Sequence, residues 1–318
     1  MADNFLFSLN VVLPLFLCCI VGYAAHRFHL VGEAFISECS HVVFYIAIPA
    51  NVFLSISGSS LDESLSLPLM GFVFAAILVT GALLCLIVPR LIRNRPVAAT
   101  VTVTMFRSNF AMLGIPLAIT LMGEAGAAPT LVMVPFATLL YTILSVAILA
   151  LMTSGGTGSL KSAVLSAGKE VIRNPLIIAS VASILVALLR LPLPTFVNST
   201  IERFADMCTG LSLFMLGAQL NMKEAKGRLR YTVPVVIVRL ILIPVLVVGC
   251  AALLGFSGGE LACVFIFFAA PTAVNSYILA GRMGGDGKLA GDTVLATSCV
   301  SSVTLTIGIF ILKSLQLF

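Results

Sequence analysis

Ten apolar stretches, each about as long as a bilayer is thick, fill nearly all of this 318-residue chain, and two of them are interrupted mid-length by polar, proline-containing patches. A hydrocarbon core of ~30 Å needs about 20 apolar residues per helix. On that ruler the sequence predicts helices over 5–26, 35–57, 67–91, 97–122, 129–152, 174–190, 195–220, 231–255, 259–281 and 289–316. The interruptions run from Arg107-Ser108-Asn109 to Gly114-Ile115-Pro116 in the fourth, and over Ala270-Pro271-Thr272-Ala273-Val274-Asn275 in the ninth. A lipid-embedded helix gives up backbone hydrogen bonds only where protein or a water-filled cavity replaces them. Two breaks at corresponding places in two halves point to a binding site at the membrane midplane.

Composition excludes the soluble classes. Hydrophobic residues make up 60% of the chain and charged residues only 10%, with a mean hydropathy of +1.15. No soluble domain of this length hides so much apolar surface. The net charge of +5 would suggest nucleic acid on a soluble protein. Here the basic residues sit in short loops, so membrane topology accounts for them and no nucleic-acid partner is expected. All eight cysteines fall in apolar segments without a C-x-x-C pair or metal-ligand spacing. They read as small buried hydrophobes, and no metal site is expected. The start, Met1-Ala2-Asp3-Asn4, lacks the positive region of a signal peptide, so the first apolar run is expected to remain as a helix.

Orientation follows from lysine and arginine. One side collects Arg27, Arg90, Arg93, Arg95, Lys161, Lys169, Arg173, Lys223, Lys226, Arg228, Arg230, Arg282 and Lys288; the other has Arg190, Arg203 and Lys313. The richer side is cytoplasmic by the positive-inside rule, which puts both termini outside in a cell inner (plasma) membrane. An even helix count is required for that, and ten satisfies it. The halves also repeat: at an offset of 161, Pro14 falls on Pro175, Met122-Gly123 on Met283-Gly284 and Gly126 on Gly287. Five helices per half make the repeats inverted in the membrane. The expected architecture is an all-α polytopic membrane protein with a 5+5 inverted repeat and broken, crossing helices 4 and 9. Its parts are 1–152, a cytoplasmic connection 153–173, and 174–318.

The candidate site is built from the breaks. Arg107 lies 11 residues beyond Pro96, ~16 Å deep and near mid-bilayer. A charge there is costly and marks a functional candidate. Gly114 and Pro116 weaken the helix behind it. Ser108, Asn109, Ala270, Pro271, Thr272 and Asn275 complete the set. If the breaks cross, freed amides and half-helix N-termini converge on one point and favour an anion. Asn109 and Asn275 donate and accept there without the cost of a buried charge.

Three residues stand apart as coupling or structural candidates. Arg239, eight residues into the eighth helix, reads as structural and able to snorkel toward the cytoplasmic face. Asp206, clustered with Glu202 and Arg203, reads as an intrahelical ion-pair member or a proton site. His41, the only histidine well inside a predicted span, reads as a hydrogen-bonded core residue or a proton relay. No acidic residue is expected deep in a helix, which argues against a sodium cage. Neither H-E-x-x-H, G-x-x-x-x-G-K nor G-x-S-x-G occurs, so neither an enzyme nor a cofactor is expected.

With those residues in view, the chain resembles the auxin efflux carrier family, within the bile-acid/arsenite/riboflavin transporter superfamily. The resemblance spans nearly the whole length. It is carried by Asn109-x-x-x-x-Gly114-Ile115-Pro116, Ala270-Pro271 with Thr272-Ala273-Val274-Asn275, Arg173-Asn174-Pro175, Phe214-Met215-Leu216-Gly217 and Arg239-x-x-x-x-Pro244. It implies substrate bound where broken helices 4 and 9 cross, a scaffold bundle able to form a homodimer, and elevator-like alternating access. Bacterial members are associated with small carboxylates such as malonate or malate. The short 153–173 connection, and Ser108 where plant members commonly have proline, disfavour auxin. Coupling to H+ or Na+ stays open. So do two other readings, an anion channel and a sodium-coupled bile-acid-type symporter. Polar residues gathered at one depth favour a carrier over a channel, which needs a continuous polar lining.

Overall fold

The computed structural model describes residues 2–57, 66–153, 175–189, 191–218, 228–273 and 276–317. Helix α1 is Ala2–Arg27; α2, Glu33–Val42, continues through a π-turn, Val43–Ala47, into α3, Ile48–Ser57. Next come α4, Leu67–Leu91, and α5, Arg95–Phe106. A π-turn, Phe110–Gly114, leads into α6, Ile115–Thr153, which is bent at Gly123 (φ +71°). That left-handed value suits glycine and divides the helix where the sequence predicts a turn between its fourth and fifth spans.

The second half opens with α7, Pro175–Leu188, and α8, Thr195–Ala218. Helix α9, Leu229–Ile237, runs through a π-turn, Val238–Leu242, into α10, Ile243–Leu253. The chain ends with α11, Gly258–Ala269, α12, Ser276–Arg282, and α13, Gly287–Ser314. Side-chain caps mark several starts. Ser66 accepts from the Leu69 amide, Asn94 from Val97 and Asp286 from Leu289, each satisfying a donor that the helix cannot.

Six helical stretches among the described residues are long and apolar enough to cross a membrane: Asp3–Arg27, Glu33–Leu54, Leu67–Leu91, Phe136–Thr153, Leu229–Leu253 and Gly287–Ser314. The other four predicted stretches correspond to shorter or more polar helices. Helices α5 and α11 are half-length pieces of 12 residues each, α7 is described over 14, and α8 carries Glu202, Arg203 and Asp206.

The helices pack in two layers. One contains α1, α2–α3, α7 and α8; the other contains α4, α5, α6 and α9 to α13. They meet where α1 lies on α13, α3 on α6, and α8 on the Phe110–Gly114 turn. Within the first layer α1 and α8 touch backbone to backbone. A Cβ on Gly22 would lie 1.9 Å from the Phe214 oxygen, and one on Gly217 would lie 1.8 Å from the Cys19 oxygen. Without a water-driven hydrophobic force, such close approach through small residues is what holds membrane helices together.

Outward faces are apolar, with Leu78, Leu83, Leu86, Ile87, Val245 and Leu246 among the exposed side chains. Lipid as the outer solvent makes that arrangement favourable. It also corrects the expectation for the cysteines. Cys19, Cys208 and Cys263 are buried, but Cys250 and Cys299 are exposed, because a thiol facing lipid need not be hidden.

Candidate functional site

Helix α5 stops because Arg107 turns to extended backbone (φ −79°, ψ 119°), and α11 stops because Ala270 does the same (φ −61°, ψ 147°). Pro271 follows and has no N–H to continue the ladder. The two extended stretches then pair antiparallel, with Ser108 opposite Thr272. The Asn109 N–H donates to the Pro271 oxygen at 2.8 Å, and the Ala273 N–H donates to the Arg107 oxygen at 3.1 Å. This pair of bonds restores what each helix loses, and lets irregular backbone sit deep in an apolar protein.

Thr272 clamps the junction from the side. Its hydroxyl donates to the Thr104 oxygen at 2.7 Å, and its N–H donates to Thr297 Oγ1 at 3.2 Å. Its polar groups therefore serve the architecture. Gly114 allows the π-turn to press on α11: a Cβ there would lie 3.0 Å from Ile266 Cγ2. Pro116 is buried two residues beyond, and Ala270 is fully enclosed. Arg107 is half-buried at the edge of the pair. Asn275 lies outside the described residues.

Arg239 does not snorkel. It is fully buried, with 0% exposure, and its guanidinium reaches the junction itself. Nε and Nη2 donate to the Ala270 oxygen at 3.0 and 2.8 Å. Nη2 also reaches the Phe267 oxygen, and Nη1 the Phe106 oxygen, each at 3.4 Å. The broken ends supply carbonyls that need a donor, and no route to the face is needed once the charge is satisfied inside.

The other two coupling candidates lie on the outside. His41 is exposed on α2, edge-on to Tyr45 at 6.1 Å between ring centroids, so it is not a core residue. Asp206 is exposed on α8; nearby Glu202 accepts from Asn198 Nδ2 at 2.8 Å, and among the described residues neither joins an ion pair. Glu202 takes the Asn198 amide one turn back instead.

Buried polar atoms without a hydrogen-bond partner among the described residues include Ser108 Oγ, Asn109 Nδ2, Ser276 Oγ and Ser298 Oγ, with Asn51 Oδ1 on α3. Three further hydroxyls, Thr130, Thr138 and Ser145, run along α6. Native interiors leave few such groups, and each calls for an explanation. Ser108 and Asn109 lie on the junction's first strand, and Ser276 opens the helix after the second. An open groove of about 890 Å³ lies elsewhere, between the start of α5 (Asn94, Pro96, Val97) and Gly284–Lys288, ~16 Å along α5 from Arg107.

Several residues escaped the sequence reading. Asp292, only 4% exposed and six residues into α13, pairs with Arg228 at 3.1 Å, so an acidic group does lie inside a helix. Thr297, which holds Thr272, carried a faint signal: hydroxyl residues recur on α13 at Thr293, Thr297 and Ser301, a helical spacing.

An all-helical, lipid-faced protein with paired helix breaks at its centre is a polytopic membrane transporter. The chain belongs to the membrane transport protein family, which matches residues 7–309. It is 25% identical over 317 residues to an uncharacterized transporter of Methanocaldococcus jannaschii, covering 96% of this chain and 98% of the relative. It is 26% identical over 318 residues, 96% of each chain, to a Rhizobium meliloti protein named "Putative malonate transporter". An uncharacterized transporter of Methanothermobacter thermautotrophicus is 25% identical over 308 residues, covering 95% of this chain and 97% of the relative. No name among these describes an enzyme.

Proposed function

We propose that this protein is a secondary transporter of small carboxylates, with malonate and related dicarboxylates as the first candidates. The observation that carries the reading is the Arg107–Asn109 and Pro271–Ala273 pair, with the unpartnered donors of Ser108, Asn109 and Ser276 beside it. Buried hydroxyl and amide donors left without a partner beside the junction suit an anion whose oxygens accept, and charge-assisted bonds are the strong ones. Arg107, Ser108, Asn109 and Asn275 are the residues assigned to the carboxylate. Gly114, Pro116, Ala270, Pro271 and Thr272 shape the backbone around it. The Rhizobium relative's name supports the choice of malonate.

In this reading ten helices form a 5+5 inverted repeat, 1–152 and 174–318, and helices 4 and 9 cross at the junction. Matching left-handed glycines support the repeat: Gly123 (φ +71°) and Gly284 (φ +76°) stand at the 161-residue offset. The layer of α1, α2–α3, α7 and α8 is the scaffold, able to pair with a second copy, and the other layer carries the site between faces. Both termini face outward from the plasma membrane in this reading, which the lysine and arginine bias supports.

A thermal-shift panel of mono- and dicarboxylates on the purified protein tests the substrate class. Malonate should raise the melting temperature in a saturable way, and acetate should raise it less. A panel in which no carboxylate shifts the transition contradicts the proposal.

A further inference from the structure

Arg239 stands where a transporter of this build could place a dissociable cation. Unwound backbone carbonyls and half-helix C-termini coordinate Na⁺ or H⁺ in several transporter folds. Here the corresponding carbonyls are Phe106, the last residue of α5, and Phe267 and Ala270 at the end of α11, and one guanidinium contacts all three. Each helix C-terminus carries about −0.5 of a charge. Two ends therefore sum to about −1, which the fixed +1 of Arg239 cancels.

The local structure is built to deliver that charge. Arg239 lies within the π-turn Val238–Leu242, ten residues past the start of α9 and so ~15 Å along the helix, near mid-bilayer. At 0% exposure it has no water to turn to. Phe106 and Phe110 stack around the buried Tyr141 at 4.9 and 5.6 Å between centroids, walling the same corner with aromatic rings. An uncompensated guanidinium could not persist there; the carbonyls and the cation require one another.

We infer that Arg239 is the built-in cation of the junction: a positioning residue that binds the C-terminal ends of both broken helices in place of a metal ion. Binding of substrate at the junction then needs no added alkali cation. The part concerning substrate rests on the transport reading above; the part concerning the junction does not.

The test uses the full-length protein in lipid nanodiscs, without substrate, and reads hydrogen exchange at the Asn109 and Ala273 amides. In Arg239→Ala both should exchange at least about tenfold faster than in wild type, while α1 and α8 amides stay unchanged. Low-millimolar methylguanidinium should reverse the effect, and N-methylglucamine at equal ionic strength should not. Arg239→Lys keeps the charge but loses the fork, so it should fall between wild type and alanine. If alanine does not fold, the lysine variant alone decides the matter. Unchanged exchange at both amides in the folded variant, or recovery equal in both cation solutions, overturns the inference.

A second arm measures malonate half-saturation in proteoliposomes. In wild type, replacing Na⁺ by N-methylglucamine should leave it unchanged. In Arg239→Ala it should rise at least about tenfold and recover with methylguanidinium. A wild-type value that depends on Na⁺ overturns the built-in cation. No malonate uptake at all sinks the transport reading and leaves the exchange result standing.

Discussion

Asn109→Ala is expected to weaken substrate binding while leaving the fold as stable as before, or slightly more so. The Asn109 backbone N–H bonds Pro271 at 2.8 Å, and alanine keeps that bond. Its φ of −89° lies on the side of the map open to any residue, so no strain is introduced. The residue is 4% exposed, and its Nδ2 has no partner among the described residues. A buried donor left unsatisfied costs about 1–3 kcal/mol, so deleting it removes a penalty and breaks no bond. A bound carboxylate would lose one hydrogen bond to a charged group, worth about 1.5–3 kcal/mol, which is roughly a 10- to 150-fold rise in half-saturation. Asn109→Asp, nearly isosteric, should be worse, since it sets a carboxylate against a carboxylate. Ligand-free thermal melts and malonate uptake in proteoliposomes measure the two effects separately. A large drop in melting temperature with unchanged half-saturation would refute the reasoning and make Asn109 a structural residue.

Three further outcomes are expected. Gly217→Ala should destabilise the protein by about 1–3 kcal/mol, because its Cβ would lie 1.8 Å from the Cys19 oxygen. Gly210→Ala on the same helix, with nothing within 4 Å, should stabilise slightly, by about 0.5–1 kcal/mol; thermal melts of the two separate close approach from helix propensity. Thr272→Val keeps the shape and the bond to Thr297 but leaves the Thr104 oxygen without its 2.7 Å donor. That should cost about 1–3 kcal/mol, read as a lower melting temperature. A protease-cleavable tag at either terminus should be cut in intact spheroplasts and protected in inverted vesicles; the reverse pattern overturns the topology.

The breaks were legible in the sequence because proline, glycine and asparagine stand out in otherwise apolar runs. The Arg107–Asn109 and Pro271–Ala273 stretches are unwound at Asn109 and Pro271, but the first break is shorter than the sequence suggests. Gly114 lies in the π-turn and Pro116 in the helix that follows, because a proline near a helix start needs no N–H. What the breaks bond to was not legible. Arg239 and Ala270 are 31 residues apart, and Arg239 and Phe106 are 133 apart, so only packing decides that they meet. The pairing of Asp292 is hidden in the sequence for the same reason: its partner Arg228 stands 64 residues away. The cysteines misled because the rule that small apolar residues are inside assumes water outside, and Cys250 and Cys299 face outward. Gly22 and Gly217 gave no local signal, since their role is the absence of a Cβ between two backbones.

The central claim, that this is a carboxylate carrier with its site at the junction, is tested most directly by counterflow. Proteoliposomes preloaded with unlabelled malonate and diluted into a trace of labelled malonate should accumulate the label transiently. Uptake should saturate with concentration, and Asn109→Ala should shift the half-saturation upward. A flux that is linear in malonate concentration, insensitive to preloading and unchanged by Asn109→Ala would contradict it.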